Sequence, residues 1–435
     1  MKNNDPKKRN RILYIIEAAL EYFISIAVSG AYLAALTTAI GISDALTGVL
    51  TSFVSLGCGF QILSTFFKGD VKRKSVALHL INEIAFTLLY VTPFFRVSQT
   101  VKTVIFTAFL LTGYALNNIA NPPKTDWYMQ AIDYDKRGVF TANKEIVSLV
   151  SGMLFSLILG YVIDEFKAAG NLNGAFITIA IVLCSIMILH SITIISSSRS
   201  YTENGVSRDE TKVLQEKDEK AAEISSERVP MRKVLRDKNL IKVVVLILLW
   251  RIVQYSTVPF YGTYQIKELG FSMVFVSVLS VVYAIVRALF ERPVGKIADK
   301  KGFAFSLNVC YAVETVALAF ATFTRPENGA VMYTIYYVLY AICTAGITSG
   351  ELNLVYDYVK PSERVAALAI KATVAGLAGF LTTLALSPLV SLIQTRGLVL
   401  FGVNIYAQQV TSFIGLVACV LLIVYNVTVV RKIKR

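Results

Sequence analysis

Two acids stand four positions apart, Glu17 and Glu21, within the first long apolar run of this chain. On a helix that spacing puts both carboxylates on one face. Glu21 lies about nine residues inside the run, deep enough that a charge there needs a partner. Far along the chain, Arg251 sits about twelve residues inside another apolar run, followed by Gln254, Tyr255 and Thr257. A guanidinium fork suits a carboxylate or a phosphate. Further acids, Glu83 and Glu314, fall in the middle of apolar runs, where partly protonated, hydrogen-bonded carboxyls are expected. Two other stretches collect polar residues beside helix-weakening sequence. Asn117, Asn118, Lys124, Asp126 and Gln130 surround Asn121-Pro122-Pro123, and Glu351, Asn353 and Asp357 follow Thr348-Ser349-Gly350. Each stretch is expected to interrupt its helix, and freed backbone groups would then need water, a neighbour or a solute. Kinks near the helix ends, with charges reaching interfacial water, are the other reading of the same residues.

None of this is the furniture of an enzyme. There is no HExxH, no GxSxG and no pair of histidines at ligand spacing. His79 and His190 are isolated in sequence and are expected to make no metal site. The cysteines at 58, 184, 310, 343 and 419 show no CxxC spacing and read as small packing residues. No catalytic residue, metal or cofactor is expected.

The elements that must position these residues are membrane spans. The 435 residues are 55% hydrophobic and only 17% charged, where a soluble chain carries roughly a quarter charged residues. Apolar runs suited to helices fall at roughly 12–40, 44–67, 75–94, 101–132, 138–163 and 173–196, then 239–266, 271–291, 303–323, 330–358, 364–393 and 404–430. Ser43 is placed to cap the second. The expected fold class is therefore an all-α membrane protein of twelve transmembrane helices. The net charge of +14 gathers at the ends of the runs, as membrane orientation requires, so nucleic acid is not an expected partner. Basic residues fill alternate loops, among them Lys72/Arg73/Lys74, Lys136/Arg137 and the Arg431-to-Arg435 tail, which puts both termini in the cytoplasm. Residues 197–238 form the one long polar segment, read as a cytoplasmic linker between halves 1–196 and 239–435.

The halves repeat one another. Ser29-Gly-Ala-Tyr32 with Gly41-Ile-Ser43 resembles Val258-Pro-Phe-Tyr261 with Gly270-Phe-Ser272 at a shift of about 229 residues. Lys136-Arg137 with Ala142-Asn-Lys144 resembles Glu363-Arg364 with Ala369-Ile-Lys371 at a shift of about 227. Between two apolar runs stands Pro293-Val-Gly-Lys-Ile-Ala-Asp-Lys-Lys-Gly302, whose core is Gly295-x3-Asp299-Lys300-x-Gly302. This resembles the loop signature of the major facilitator superfamily of secondary transporters. Its first-half counterpart, around Lys68-Gly-Asp70, keeps the acid but loses the glycine spacing.

The resemblance implies two pseudo-symmetric six-helix bundles and a solute site between them, lined by the first and seventh helices. On that expectation Glu21, Tyr22, Asn117, Asn118, Arg251, Gln254 and Tyr255 contact solute, and Asp126, Glu145, Asp299, Glu351 and Lys371 serve coupling or gating. The repeat places Arg251 opposite Tyr22, so Glu21 and Arg251 fall at similar depth. They are expected to pair or to hold opposite ends of a polar solute, and a fixed structural pair is the alternative. The expected activity is proton-coupled uptake of a small polar organic solute by alternating access, in a monomer of the plasma membrane. The fifth helix lacks the Gly-Pro-x-x-Gly-Gly pattern of many drug exporters. Export of drugs or metabolites, or a receptor on the same scaffold, are the alternatives.

Overall fold

The computed structural model describes residues 6–66, 71–129, 132, 137–203, 236–359, 364–400 and 402–433. Its helices are α1 (Pro6–Ala27), α2 (Gly30–Ile40), α3 (Asp44–Thr51), α4 (Phe53–Phe60), α5 (Val71–Leu89), α6 (Gln99–Met129), α7 (Arg137–Ala168), α8 (Leu172–Glu203), α9 (Lys238–Thr263), α10 (Met273–Lys301), α11 (Phe303–Thr322), α12 (Gly329–Tyr358), α13 (Arg364–Arg396) and α14 (Ala407–Thr428). A two-stranded hairpin, Val399–Leu400 against Val403–Asn404, is the only sheet among the described residues. Nine described helices are long and apolar enough to cross a membrane, and α1 with α2, bent by 44°, would make a tenth. The helix α5 does not pass that test, and it carries His79, Asn82 and Glu83. Polar load is what removes it from the apolar count.

Local chemistry explains several boundaries. Gly41 (φ 84°) and Gly270 (φ 66°) both take the left-handed conformation that favours glycine. Two residues on, Ser43 and Ser272 cap α3 and α10 by accepting from the backbone N–H of Leu46 and Phe275 at 3.3 and 3.1 Å. The repeat read from sequence thus recurs as the same turn and cap. The first two expected helices are each divided. A left-handed Gly30 marks the bend between α1 and α2. Ser52, between α3 and α4, donates its hydroxyl to the Val49 carbonyl at 2.6 Å, a local bond that competes with the helical ladder.

Three expectations are corrected. The signature stretch from Pro293 is not a loop: α10 continues to Lys301, with Val294 and Ala298 buried one turn apart, and the chain turns at Gly302 (φ 88°). The fourth expected helix is not interrupted at Asn121-Pro-Pro123, since α6 runs through it. Membrane helices tolerate proline where the surroundings re-satisfy the carbonyls it frees, and α5 packs along this helix, with Ser75 Oγ donating to the Ala120 carbonyl at 2.7 Å. Nor does Thr348-Ser-Gly350 break α12. Gly350 serves close packing there, because a Cβ would come within 2.8 Å of Leu307. Asp70 and residues 204–235 of the linker lie outside the described residues.

The helices form two compact units, α1 with α5–α8, and α2–α4 with α9–α14. In the first, α1 packs on α7 and α8, and α5 on α6 and α8. In the second, α9 packs on α13 and α14, and α11 on α12 and α14, with α2 and α3 against α9. Small residues permit the close approaches: Ser55 Oγ donates to the Gly376 carbonyl at 3.0 Å, and Gly48 faces the Phe260 ring.

Candidate functional site

In the first unit α1, α5, α6 and α8 converge on a cluster of six ionisable side chains. Lys124 Nζ is at its centre, donating to Glu17 Oε1 at 2.6 Å and to Glu21 Oε2 at 2.7 Å. The side chains of Lys124 and Glu17 are 3% and 1% exposed, whereas Glu21 is 25% exposed. The i, i+4 spacing on α1 is what lets one ammonium bridge both carboxylates. His190, from α8, sets Nδ1 against Glu83 Oε1 and places Nε2 3.2 Å from Glu17 Oε1. His79 lies beside it, with ring centroids 4.8 Å apart. Its Nδ1 is 3.2 Å from the Asn82 amide and its Nε2 3.5 Å from Lys124 Nζ.

The two histidines, isolated in sequence, are therefore neighbours in space. Glu83 likewise belongs to this cluster. The fold supplies what sequence distance concealed: α5 and α8 pack together, bringing residues 107 positions apart into contact.

The cluster opens on a cavity of about 390 Å³. Glu17, Glu21, Glu83, Asn117, Asn121 and Lys124 contribute to its wall. Tyr22 lines it too, and its ring packs where Gly152 leaves room. Glu145 reaches the same cavity from α7, beside Lys144, whose ammonium lies 4.9 Å from the centre of the Tyr14 ring. Asn118 is tied elsewhere, donating to the Tyr114 carbonyl at 2.9 Å and accepting from Gln61 at 3.2 Å. Asp126 is on α6, and its side chain lies outside the described residues.

The second unit holds a separate charged cluster. Arg251 donates from Nη1 to Gln254 Oε1 at 2.7 Å and from Nη2 to Glu351 Oε2 at 3.2 Å. Lys371 Nζ reaches the same Glu351 oxygen at 3.3 Å. Gln254 passes the network on, donating to the Tyr340 hydroxyl at 3.1 Å. Tyr255 packs its ring against Gly379. Glu351 is 1% exposed, so its two cations are what keep a buried charge compensated. Glu21 and Arg251 each find a counter-charge inside their own unit, Lys124 for Glu21 and Glu351 for Arg251. Glu314, on α11, is buried, and its Oε2 has no hydrogen-bond partner among the described residues. Asp299 is exposed near the end of α10.

Sequence reasoning missed the centre of the first cluster. In sequence Lys124 is one of several polar residues beside a helix-weakening run, and the two histidines are 111 positions apart. The repeat carried the signal: the shift of about 227 that relates Lys144 to Lys371 also relates Lys124 to Glu351.

Comparison with known proteins agrees with this architecture. The profile of the Major Facilitator Superfamily matches residues 16–383. The chain belongs to the major facilitator superfamily. Membership and the transporter neighbours point to a transporter, not an enzyme. Among solved structures it resembles the nucleoside transporter NupG (TM-score 0.67, 13% identity, covering 99% of this chain and 100% of that one). It also resembles a bacterial homologue of the iron transporter ferroportin (TM-score 0.71, 12% identity, 98% and 99%) and a D-xylose-proton symporter (TM-score 0.64, 14% identity, 95% and 96%). At these identities the likeness is one of fold. No curated protein matches the sequence significantly.

Proposed function

We propose that this superfamily member is a secondary active transporter that moves a small polar organic solute by alternating access, with proton-coupled uptake as its mode. The reading includes twelve spans in two six-helix halves joined by the linker, both termini in the cytoplasm, and a monomer in the plasma membrane. One observation carries it. A compensated set of charges, too costly to keep in a span without use, lines a cavity large enough for a small solute.

The arrangement suits a polar solute. Lys124 and Glu21 offer a donor and an acceptor at the cavity wall, with the Asn117 and Asn121 amides beside them. Arg251, Gln254 and Tyr255 are the proposed contacts from the second half. Coupling is assigned to carboxylates that hold a cation. A proton placed on Glu21, the more exposed of the two acids on α1, would leave Lys124 paired to Glu17 alone and change the cavity's charge by one unit. Glu351, shared between Arg251 and Lys371, can do the same in the second unit, with Glu145, Asp126 and Asp299 in gating roles.

The test begins with thermal unfolding of purified protein against sugars, nucleosides, amino acids and organic acids. A ligand at about a hundred times its Kd stabilises the native state by about 2.7 kcal/mol. A solute that stabilises wild type but not Glu21→Ala or Arg251→Ala, and that enters proteoliposomes faster under an inward proton gradient, is the expected result. Binding unaffected by both substitutions, or uptake indifferent to the gradient, would refute the site or the coupling respectively.

A further inference from the structure

We propose that Glu17, His79 and His190 form a binding site for a divalent transition-metal ion, of the zinc or cobalt kind, at the inner wall of the first unit's cavity. Each of the three offers a ligand atom, and these atoms lie within 4.8 Å of one another. Two imidazoles and one carboxylate make a donor set that such ions use with a fourth position left open.

Three features of the surroundings point to a cation beyond Lys124. The first is the hold on His190. Its Nδ1 is bound to the Glu83 carboxylate, which leaves Nε2 directed at Glu17. A carboxylate behind an imidazole is how metal-binding histidines are oriented and made more basic. His79 is steadied differently: the Asn82 amide nitrogen lies 3.2 Å from its Nδ1, and its Nε2 turns inward, 3.5 Å from Lys124 Nζ. The second is an orphan atom. Glu17 is 1% exposed, and its Oε2 has no hydrogen-bond partner among the described residues. A buried carboxylate oxygen left unpaired is costly. The third is the charge count. Lys124 pairs with Glu17 and Glu21 while Glu83 pairs with His190, so once both imidazoles are neutral, as metal ligation requires, three acids and one ammonium leave two negative charges in excess. One divalent ion cancels that excess.

Lys124 then becomes an internal competitor. Its ammonium bridges Glu17 and Glu21, and Glu21 faces the cavity. With Lys124 drawn onto Glu21, the metal takes Glu17 with both imidazoles, and its open position faces the cavity. The site does not depend on the identity of the transported solute, and its test requires no flux.

The experiment is a titration of the purified full chain in detergent, freed of any polyhistidine tag, with Co²⁺ followed by its visible absorption and then displaced by Zn²⁺. One equivalent per chain is expected. His79→Ala and His190→Ala each weaken binding tenfold or more, Glu83→Gln weakens it about 10–100-fold, and Lys124→Gln tightens it. Because these variants alter a buried network and could fail to fold, a second measurement uses wild type alone. X-ray absorption at the zinc edge should show two imidazoles on the bound ion. No stoichiometric binding, folded histidine variants that bind as wild type does, or a zinc shell without imidazole would each overturn the proposal.

Discussion

Removing Lys124 tests whether the first unit's cluster is an energetic unit. Lys124→Met keeps the length and apolar body of the side chain but deletes the ammonium that sits 2.6 Å from Glu17 and 2.7 Å from Glu21. Glu17, 1% exposed, is then a buried carboxylate without its main counter-charge. Breaking a buried pair from one side costs about 3–5 kcal/mol. Glu21, a quarter exposed, adds little, since pairs that water reaches contribute about 0–1 kcal/mol. The single variant should therefore lose about 3–5 kcal/mol of unfolding free energy, measured in mixed detergent micelles. Glu17→Gln alone strands Lys124 less severely, because Glu21 still holds it. The double variant Glu17→Gln/Lys124→Met removes both charges and should cost less than the two single losses summed. That non-additivity, about 0.5–3 kcal/mol between contacting residues, is the signature sought. If the two losses simply add, the cluster is not coupled and the reasoning fails.

Two further outcomes follow from packing and capping. Gly376→Ala would set a Cβ 2.7 Å from the Ser55 carbonyl oxygen, a backbone atom that cannot swing away; overpacking of this kind costs about 1–3 kcal/mol, seen as a lowered unfolding temperature, and an unchanged temperature would deny the close approach of α4 to α13. Ser43→Ala and Ser272→Ala should each cost about 1 kcal/mol, as lost N-caps do, and similar losses at the two positions in unfolding assays would check that the repeated turns do the same work.

Much of the fold was legible because spans announce themselves by composition. The helices α7, α8 and α10–α14 follow from long apolar runs bounded by charge. Where sequence reading went astray, a local penalty was weighed without its tertiary repayment. Pro122-Pro123 and Thr348-Ser-Gly350 weaken a helix in isolation, yet packed neighbours keep α6 and α12 continuous. The site was half legible. Glu21, Tyr22, Asn117 and Glu145 do line one cavity, and Arg251, Glu351 and Lys371 do meet. His79 and His190 could not be joined from sequence, because nothing in the spacing reveals that α5 packs on α8 at that height.

The repeat relates the charged cluster of the first unit to that of the second. Positions that build the scaffold are the same in both copies: Gly41 with Gly270, and Ser43 with Ser272. Positions that carry the buried charge are inverted. In the first copy the acids are on the first helix and Lys124 is on the fourth; in the second, Arg251 is on the first helix and Glu351 on the fourth. Each copy thereby neutralises its own buried charge, as it must if a lone charge in a span is costly. The consequence separates this arrangement from a pair shared by the two halves. Exchanging the charges, Glu21→Arg with Arg251→Glu, would restore a Glu21–Arg251 pair if one existed. In the clusters observed, it sets one base against Lys124 and one acid against Glu351, so like charges face each other in both places. The double exchange should therefore be less stable in thermal unfolding than either single change. Rescue to wild-type stability would show that the two residues pair after all and that the self-neutralising clusters are not what holds them.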